Sequence, residues 1–303
     1  MRLPRPLMPS LLLHLTAIER LAREPRGLHP DFVRALDEDL AYARFGAALP
    51  ELPRYAGLRG GVTALLPGER AAPFADLFHE VAPVAFGLKM AELVAAGALV
   101  GTEAGLAVLA GYFTHLCLDR VLQPLNAPLV QARRRDGESA AKVERRIDWV
   151  QAVLYLDETS GEELVGRARL RERFQVTKSP GLPLKGVGGG IYELVRLAAH
   201  EVLSREPSRA EVDAWVRGLY VSGTLLASPA ARLRAPPTLE ETRYYRAGEL
   251  DVPREVDRAL ENARDVLHHL LAYMVRGAFS LRARQRFLEG FPEQPMRPCA
   301  AMS

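Results

Sequence analysis

The sequence predicts an all-α protein organised as a single multi-helix domain. Apolar residues recur at helical spacing, long segments are rich in Ala, Leu, Arg and Glu, and runs of alternating valine, isoleucine and threonine are few. With 303 residues, 48% of them hydrophobic, the chain is long enough to bury a large core. Because no repeat or linker divides it, we expect one domain over residues 8–290, between tails at 1–7 and 291–303.

Helical periodicity, interrupted by proline and glycine, gives the expected elements in chain order. The helices are expected at 10–23, 30–46, 73–96, 102–123, 139–157, 191–204, 209–227 and 253–287. Pro83 is expected to kink the third helix, and the last helix is long enough to contain a break. The segments 50–72, 179–190 and 228–252 are expected to be loops, the last because proline, arginine and acids are frequent there.

Composition excludes several classes of protein. The 40 Lys and Arg residues against 37 Asp and Glu give a net charge of +3, which is too small to attract nucleic acid in bulk. Two cysteines, Cys117 and Cys299, predict no disulfide framework. No uninterrupted apolar window of about 18 residues occurs, so a membrane span is not expected. Prolines interrupt the apolar run near the N-terminus, which argues against secretion and favours a cytoplasmic protein whose membrane contact is at most peripheral.

A histidine and a carboxylate lie one helical turn apart in an apolar segment. His115 and Asp119 would project from the same helix face, and Gln123 follows one turn later. Burying an imidazole and a carboxylate among apolar side chains is costly, and a divalent metal satisfies both groups at once. Taken alone, however, such a pair is more often a hydrogen-bonded pair in a core. Other parts of the sequence are needed to decide between a metal site and a hydrogen-bonded pair.

The order His-x-x-x-Asp-x-x-x-Gln-Pro, which ends at Pro124, resembles the His-x-x-x-Asp-x-x-x-His-Pro core of the zinc-dependent phospholipase C family. Three more elements follow that family's order. His14 comes shortly after a Met-Pro pair, Glu51 ends a Gly-Ala-x-x-Pro-acid turn, and His79 precedes the central motif. The resemblance is concentrated in the first half of the chain and implies that family's helical fold.

The resemblance also implies a metal site that holds one or two zinc ions. The implied ligands are His14, Glu51, His79, His115 and Asp119, with Gln123, Glu144 and Asp148 as secondary ligands. In this assignment Asp119 serves two ions, and His14 belongs to the second of them. Ala140 stands where the family has a further histidine, which argues against a full three-metal cluster.

Two functions follow from this ligand set. The first is a metal-dependent phosphodiester hydrolase in which a metal-activated water attacks phosphorus in a phospholipid or a small phosphodiester. Glu51 is then the catalytic acid-base residue, because it occupies the position of the family's aspartate, with one more methylene. The alternative is a degenerate, non-catalytic binding or scaffold protein that retains at most a structural metal. Glu51, Gln123 and Ala140, which all depart from the family's residues, favour the alternative.

Overall fold

The computed structural model describes residues 11–56, 73–97, 101–135, 189–226, 251–275 and 279–294. Within these ranges the chain is helical and contains no strand, which confirms the all-α prediction. The helices are α1 (Leu11–Arg23), α2 (Pro30–Ala48), a 3-10 helix (Leu52–Tyr55), α3 (Pro73–Glu80), α4 (Pro83–Ala95), α5 (Thr102–Arg135), α6 (Gly189–Leu203), α7 (Arg209–Leu226), α8 (Val252–Val275) and α9 (Leu281–Gly290).

Helices α2 and α5 pack closely at the centre of the fold. A Cβ added at Gly111 of α5 would lie 1.9 Å from the carbonyl oxygen of Ala43, and one added at Gly46 of α2 would lie 2.0 Å from that of Val108. Only glycine allows the two backbones to approach this closely. Helix α1 packs against both helices, while α4 and α8 pack against α5. The close approach therefore buries the face of α5 that carries the histidine and carboxylate motif.

Helix α5 contains a long apolar segment. Its segment Thr102–Leu125 is long and apolar enough to cross a membrane by length and composition, yet 94% of that segment is buried inside the fold. The surrounding helices contribute large side chains to the same core, such as Leu13, Phe45 and Leu267. The apolar sequence of α5 is thus accounted for by the core that it forms.

Several helix boundaries differ from those expected from the sequence. The segment 73–96 forms two helices rather than one kinked helix, because Ala82 adopts a left-handed conformation (φ 49°) directly before Pro83. Helix α5 continues beyond its expected end at Gln123. A proline within a helix lacks the N–H for one hydrogen bond, but its fixed φ is compatible with helical geometry. The segment 253–287 divides into α8 and α9, so the last expected helix contains the break for which the sequence left room. The helix expected at 139–157 lies outside the described residues.

Packing continues beyond α9 into the segment that the sequence analysis assigned to the C-terminal tail. Phe291 is buried, and the centroid of its ring lies 3.4 Å from the guanidinium carbon of Arg120 on α5. The same guanidinium donates a hydrogen bond to the carbonyl oxygen of Pro292. This stacking and hydrogen bonding join the chain after α9 to the central helix.

The carboxylate of Glu293 caps α4. It accepts hydrogen bonds from the backbone N–H groups of Val84 at 2.9 Å and Ala85 at 2.8 Å. These N–H groups have no partner within the helix, and a negative charge is favourable at a helix N-terminus. Glu293 therefore takes the place of a local cap, since the preceding Ala82 has no side chain that can accept a hydrogen bond.

Replacing Glu293 by alanine is expected to lower the free energy of unfolding by about 2 kcal/mol, because two charge-assisted hydrogen bonds are lost at the start of α4. Urea denaturation followed by circular dichroism measures this change. Glu289→Ala is the matched control, because Glu289 is exposed on α9 and its replacement is expected to have little effect. Equal unfolding free energies for the two variants would contradict the assigned cap.

Candidate metal centre

Four elements bring the five expected primary ligands into one buried cluster. His14 lies on α1, Glu51 directly precedes the 3-10 helix, His79 lies on α3, and His115 and Asp119 lie on α5. All five side chains are buried. Ionisable groups are costly in such an environment unless they are paired or coordinate a metal. The cluster therefore calls for an explanation beyond packing.

Asp119 lies at the centre of the cluster. Its Oδ1 atom lies 3.4 Å from Nε2 of His14, and its Oδ2 atom lies 3.3 Å from Nε2 of His115 and 4.0 Å from Nε2 of His79. The spacing of four residues on α5 places His115 and Asp119 on the same helix face. The rings of His14 and His115 are stacked with their centroids 3.7 Å apart. One carboxylate thus contacts three imidazoles that come from three helices.

Glu51 forms the second carboxylate of the cluster. Its Oε1 atom lies 3.4 Å from Nε2 of His79, and its Oε2 atom lies 3.2 Å from Nη1 of Arg54. The 3-10 helix accounts for the second contact, because residues three apart lie above one another in this helix type. Helix α7 packs against the 3-10 helix so closely that a Cβ added at Gly218 would lie 1.9 Å from the carbonyl oxygen of Tyr55. Contacts with His79 and Arg54, together with the packing of the 3-10 helix against α7, therefore hold Glu51 in position.

The orientation of His115 is set by a backbone carbonyl. Its Nδ1 atom lies 2.7 Å from the carbonyl oxygen of Ala47, which accepts a hydrogen bond when Nδ1 carries the proton. The lone pair then resides on Nε2, the atom that faces Asp119. A metal-binding histidine commonly donates its other ring N–H to a carbonyl in this way. Ala47 follows Gly46, so the close approach of α2 and α5 delivers this carbonyl to His115.

Burial and neighbouring charges shift the pKa values in the cluster. Burial, reinforced by repulsion from His115, lowers the pKa of His14 to about 4. Burial also opposes protonation of His115, but the adjacent Asp119 outweighs it and raises the pKa of His115. The pKa of Asp119 is held well below its usual range, because the attraction of His115 and His14 exceeds the effect of burial. Asp119 is thus ionised and His14 neutral at pH 7.

The pKa of Glu51 is also lowered. Burial alone would raise it, but the Arg54 guanidinium and the His79 imidazole together bring the pKa of Glu51 to about 2. Metal binding requires deprotonated carboxylates and neutral imidazoles, so an ionised Glu51 is suited to act as a ligand. A pKa this far below 7 makes the same group a weak general base.

The spacing of the ligand atoms fits a metal ion. Charge-assisted hydrogen bonds are about 2.7–2.9 Å long, whereas the closest pairs in the cluster lie 3.3 to 3.4 Å apart. Two ligands that bind one ion at about 2.1 Å and at the tetrahedral angle lie about 3.4 Å from each other. Within the described residues, Oε1 of Glu51, Nε2 of His115 and both Asp119 oxygens are buried without a hydrogen-bond partner. These groups can therefore hold a metal ion.

Two sets of three residues have ligand atoms close enough together to hold one ion. One consists of His14, His115 and Asp119, and the other of Glu51, His79 and His115. Within each set the ligand atoms lie within 4.8 Å of one another. Because His115 belongs to both sets and offers one free nitrogen, it can serve only one ion at a time.

Of the secondary ligands expected from the sequence, the structure describes Gln123. Gln123 is buried one turn beyond Asp119 on α5 but belongs to neither set. Glu144 and Asp148 lie outside the described residues, as does Ala140. Sequence reasoning missed Arg54, although its position three residues after Glu51 is a usable signal for an ion pair. It also missed the Ala47 carbonyl, because a backbone group leaves no signal in residue types.

The fold and the cluster define an all-α protein with a buried centre of histidines and carboxylates that can hold a metal ion. Comparisons with protein-family models, curated proteins and solved structures find no match for this chain. The residues of the cluster, and their order in the sequence, therefore carry the functional inference.

Proposed function

We propose that this protein is a metal-dependent phosphodiester hydrolase that resembles zinc-dependent phospholipase C. The observation that carries the proposal is the convergence of five side chains. They follow that family's order in the sequence, and they meet at ligand spacing in one buried cluster. Imidazole and carboxylate ligands in this combination suit zinc. We therefore propose zinc as the metal, with one or two ions per chain.

Either set of three ligands leaves a coordination position open. Catalytic zinc sites commonly use three protein ligands and keep the fourth position for water or substrate. In the set of Glu51, His79 and His115 the ligand atoms are Oε1, Nε2 and Nε2. A second ion would bind Nε2 of His14 and Oδ1 of Asp119, the carboxylate oxygen that faces His14. The other oxygen, Oδ2, faces His115. The sequence resemblance implies a related division, in which the other oxygen of Asp119 also serves the first ion.

The residues of the cluster would share the work of hydrolysis. A bound divalent cation supplies a Lewis acid and makes a nearby water more acidic. Glu51 is positioned to accept a proton from that water, and a weak base suffices when the water is already acidified. The Ala47 carbonyl keeps His115 in one tautomer and orientation. The apolar surroundings strengthen each electrostatic interaction within the site. The proposed substrate is a phospholipid or a related small phosphodiester, reached through at most peripheral contact with a membrane.

Metal analysis and an activity assay test this proposal. We expect the purified protein to bind one or two zinc ions and to hydrolyse bis(p-nitrophenyl) phosphate only when zinc is present. His115→Ala is expected to reduce kcat/KM by about 100-fold or more, because it removes a ligand common to both sets. His200→Ala, which removes an exposed histidine, is the matched control and is expected to retain full activity. Zinc-independent hydrolysis, or full activity in His115→Ala, would contradict the proposal.

The second candidate function is a non-catalytic helical binding or scaffold protein with a structural metal. The low pKa of Glu51 favours it, because such a carboxylate binds a cation well but accepts a proton poorly. Stoichiometric zinc that raises the thermal stability of the protein, without turnover of any phosphodiester, would support this candidate over the hydrolase.

A further inference from the structure

Helix α7 contacts both of the elements that position the candidate ligands Glu51 and His79. It packs against the 3-10 helix that follows Glu51, where Gly218 lies against the backbone of Tyr55. Its Trp215 also contacts α3, the eight-residue helix that carries His79. Among the described residues, α7 contributes no member to either ligand set. It therefore supports the site from outside the ligands.

Trp215 packs against two aromatic side chains of α3. The centroid of its ring lies 5.4 Å from that of Phe74 and 6.2 Å from that of Phe78, and the second pair is edge to face. All three side chains are buried. Phe74 and Phe78 are four residues apart and so share one face of α3. Because Phe78 also contacts Phe86 at 4.9 Å, this aromatic face is held between α4 and α7.

The aromatic contacts determine the rotation of α3 about its own axis, and this rotation determines where His79 lies. His79 directly follows Phe78, so its side chain leaves the helix about 100° from that of Phe78. A rotation of about 20° would move the imidazole by about 2 Å, because side chains extend about 5–6 Å from the helix axis. Nε2 of His79 lies 3.4 Å from Oε1 of Glu51. A shift of that size would disrupt the spacing that a shared ion requires.

We propose that Trp215 is a positioning residue of the metal centre, because it holds α3 in the orientation that brings His79 to Glu51. The inference rests on the proposed function, since it takes Glu51, His79 and His115 as the ligands of one ion. Residues behind the ligands of a metal commonly determine its affinity by keeping those ligands in place. The inference gives a role to the second half of the chain, where the sequence resemblance places no ligand.

Competition with a chromophoric chelator measures the zinc affinity of the variants. His79→Ala identifies the binding step of this ligand set as the step that it weakens. We expect Trp215→Leu to weaken the same step by about 10-fold or more. Trp215→Phe keeps an aromatic ring against α3, so we expect a loss below about threefold. Phe287→Leu is the matched control, because Phe287 is also buried but its ring contacts α5 and α8, and we expect unchanged zinc affinity.

A double-mutant cycle separates the positioning of His79 from a general loss of stability. If Trp215 acts through His79, Trp215→Leu in the His79→Ala background changes zinc affinity by less than about twofold. A general loosening of the fold would lower the affinity equally in both backgrounds. Phe74→Leu removes the same aromatic contact from the side of α3, so it is expected to behave as Trp215→Leu does. It carries the test if Trp215→Leu does not fold.

Four outcomes would overturn the inference. They are zinc affinity within about twofold of the unaltered protein in Trp215→Leu and Phe74→Leu, an equal loss in Phe287→Leu, an equal loss in Trp215→Phe, and an equal effect of Trp215→Leu with and without His79. The failure of the proposed function looks different. A protein whose zinc affinity depends on Trp215 through His79, but which hydrolyses no phosphodiester, would contradict the hydrolase and retain the positioning role. Absence of zinc binding by the unaltered protein would contradict both.

Discussion

Asp119→Asn is expected to weaken zinc binding by about 100-fold or more and to abolish zinc-dependent hydrolysis. Asp119 is the residue whose two oxygens face different histidines, with Oδ1 towards His14 and Oδ2 towards His115. Asparagine preserves the shape of the side chain, but it carries no charge and replaces one oxygen by an N–H donor. Competition with a chromophoric chelator measures the loss of affinity, and the phosphodiesterase assay measures the loss of activity.

Thermal unfolding provides an independent measurement of the same change. Zinc at one hundred times its Kd stabilises a protein by about 2.7 kcal/mol, which for a chain of 303 residues corresponds to a rise in Tm of roughly 4 °C. Asp119→Asn is expected to remove this rise. Asp39→Asn is the matched control, because Asp39 is a buried carboxylate on α2 outside both ligand sets. A full zinc-dependent rise in Tm for Asp119→Asn would show that Asp119 is not a ligand.

Some features of the site follow directly from local sequence. His115 and Asp119 had to share a helix face, because their spacing is one turn and the surrounding residues favour a helix. Helical periodicity says nothing about which helices become neighbours. The meeting of His14, Glu51 and His79 with the α5 motif was therefore predicted only through the order of motifs in a resembling family, not from composition or spacing.

Other features could not be predicted because they depend on backbone positions. The Ala47 carbonyl that orients His115 is invisible in a pattern of residue types. The break between α3 and α4 depends on the left-handed Ala82, a conformation that alanine rarely adopts. The role of Glu293 as the cap of α4 joins positions more than 200 residues apart, 208 in the case of Ala85. Tertiary contacts of this kind override local propensity.

Glycines within helices were a further signal that sequence reasoning did not use. Gly46 and Gly111 lower intrinsic helix propensity, so a local interpretation treats them as weak points. The structure shows the opposite role, since they are the positions where α2 and α5 approach most closely. Their importance depends on both helices at once, and neither segment alone contains that information.

Gly111→Ala is accordingly expected to destabilise the protein by about 3 kcal/mol or more. A Cβ at this position would lie 1.9 Å from the carbonyl oxygen of Ala43 and 2.6 Å from the backbone nitrogen of Ala47, so the helices must move apart. At an unconstrained helix position the same substitution stabilises by up to about 1 kcal/mol. The sign of the change, measured by urea denaturation, therefore reports directly on the contact between the helices.

The same substitution links packing to the metal centre. When α2 and α5 separate, the Ala47 carbonyl moves away from His115, so zinc affinity is expected to fall even under conditions where the variant remains folded. Gly290→Ala is the matched control, because no atom would lie within 4 Å of its Cβ, and we expect stability that is unchanged or up to about 1 kcal/mol higher, with unchanged zinc binding. Equal stability of the two variants would contradict the close approach of α2 and α5. Reduced stability with unchanged zinc affinity would show that His115 does not depend on the Ala47 carbonyl for its orientation.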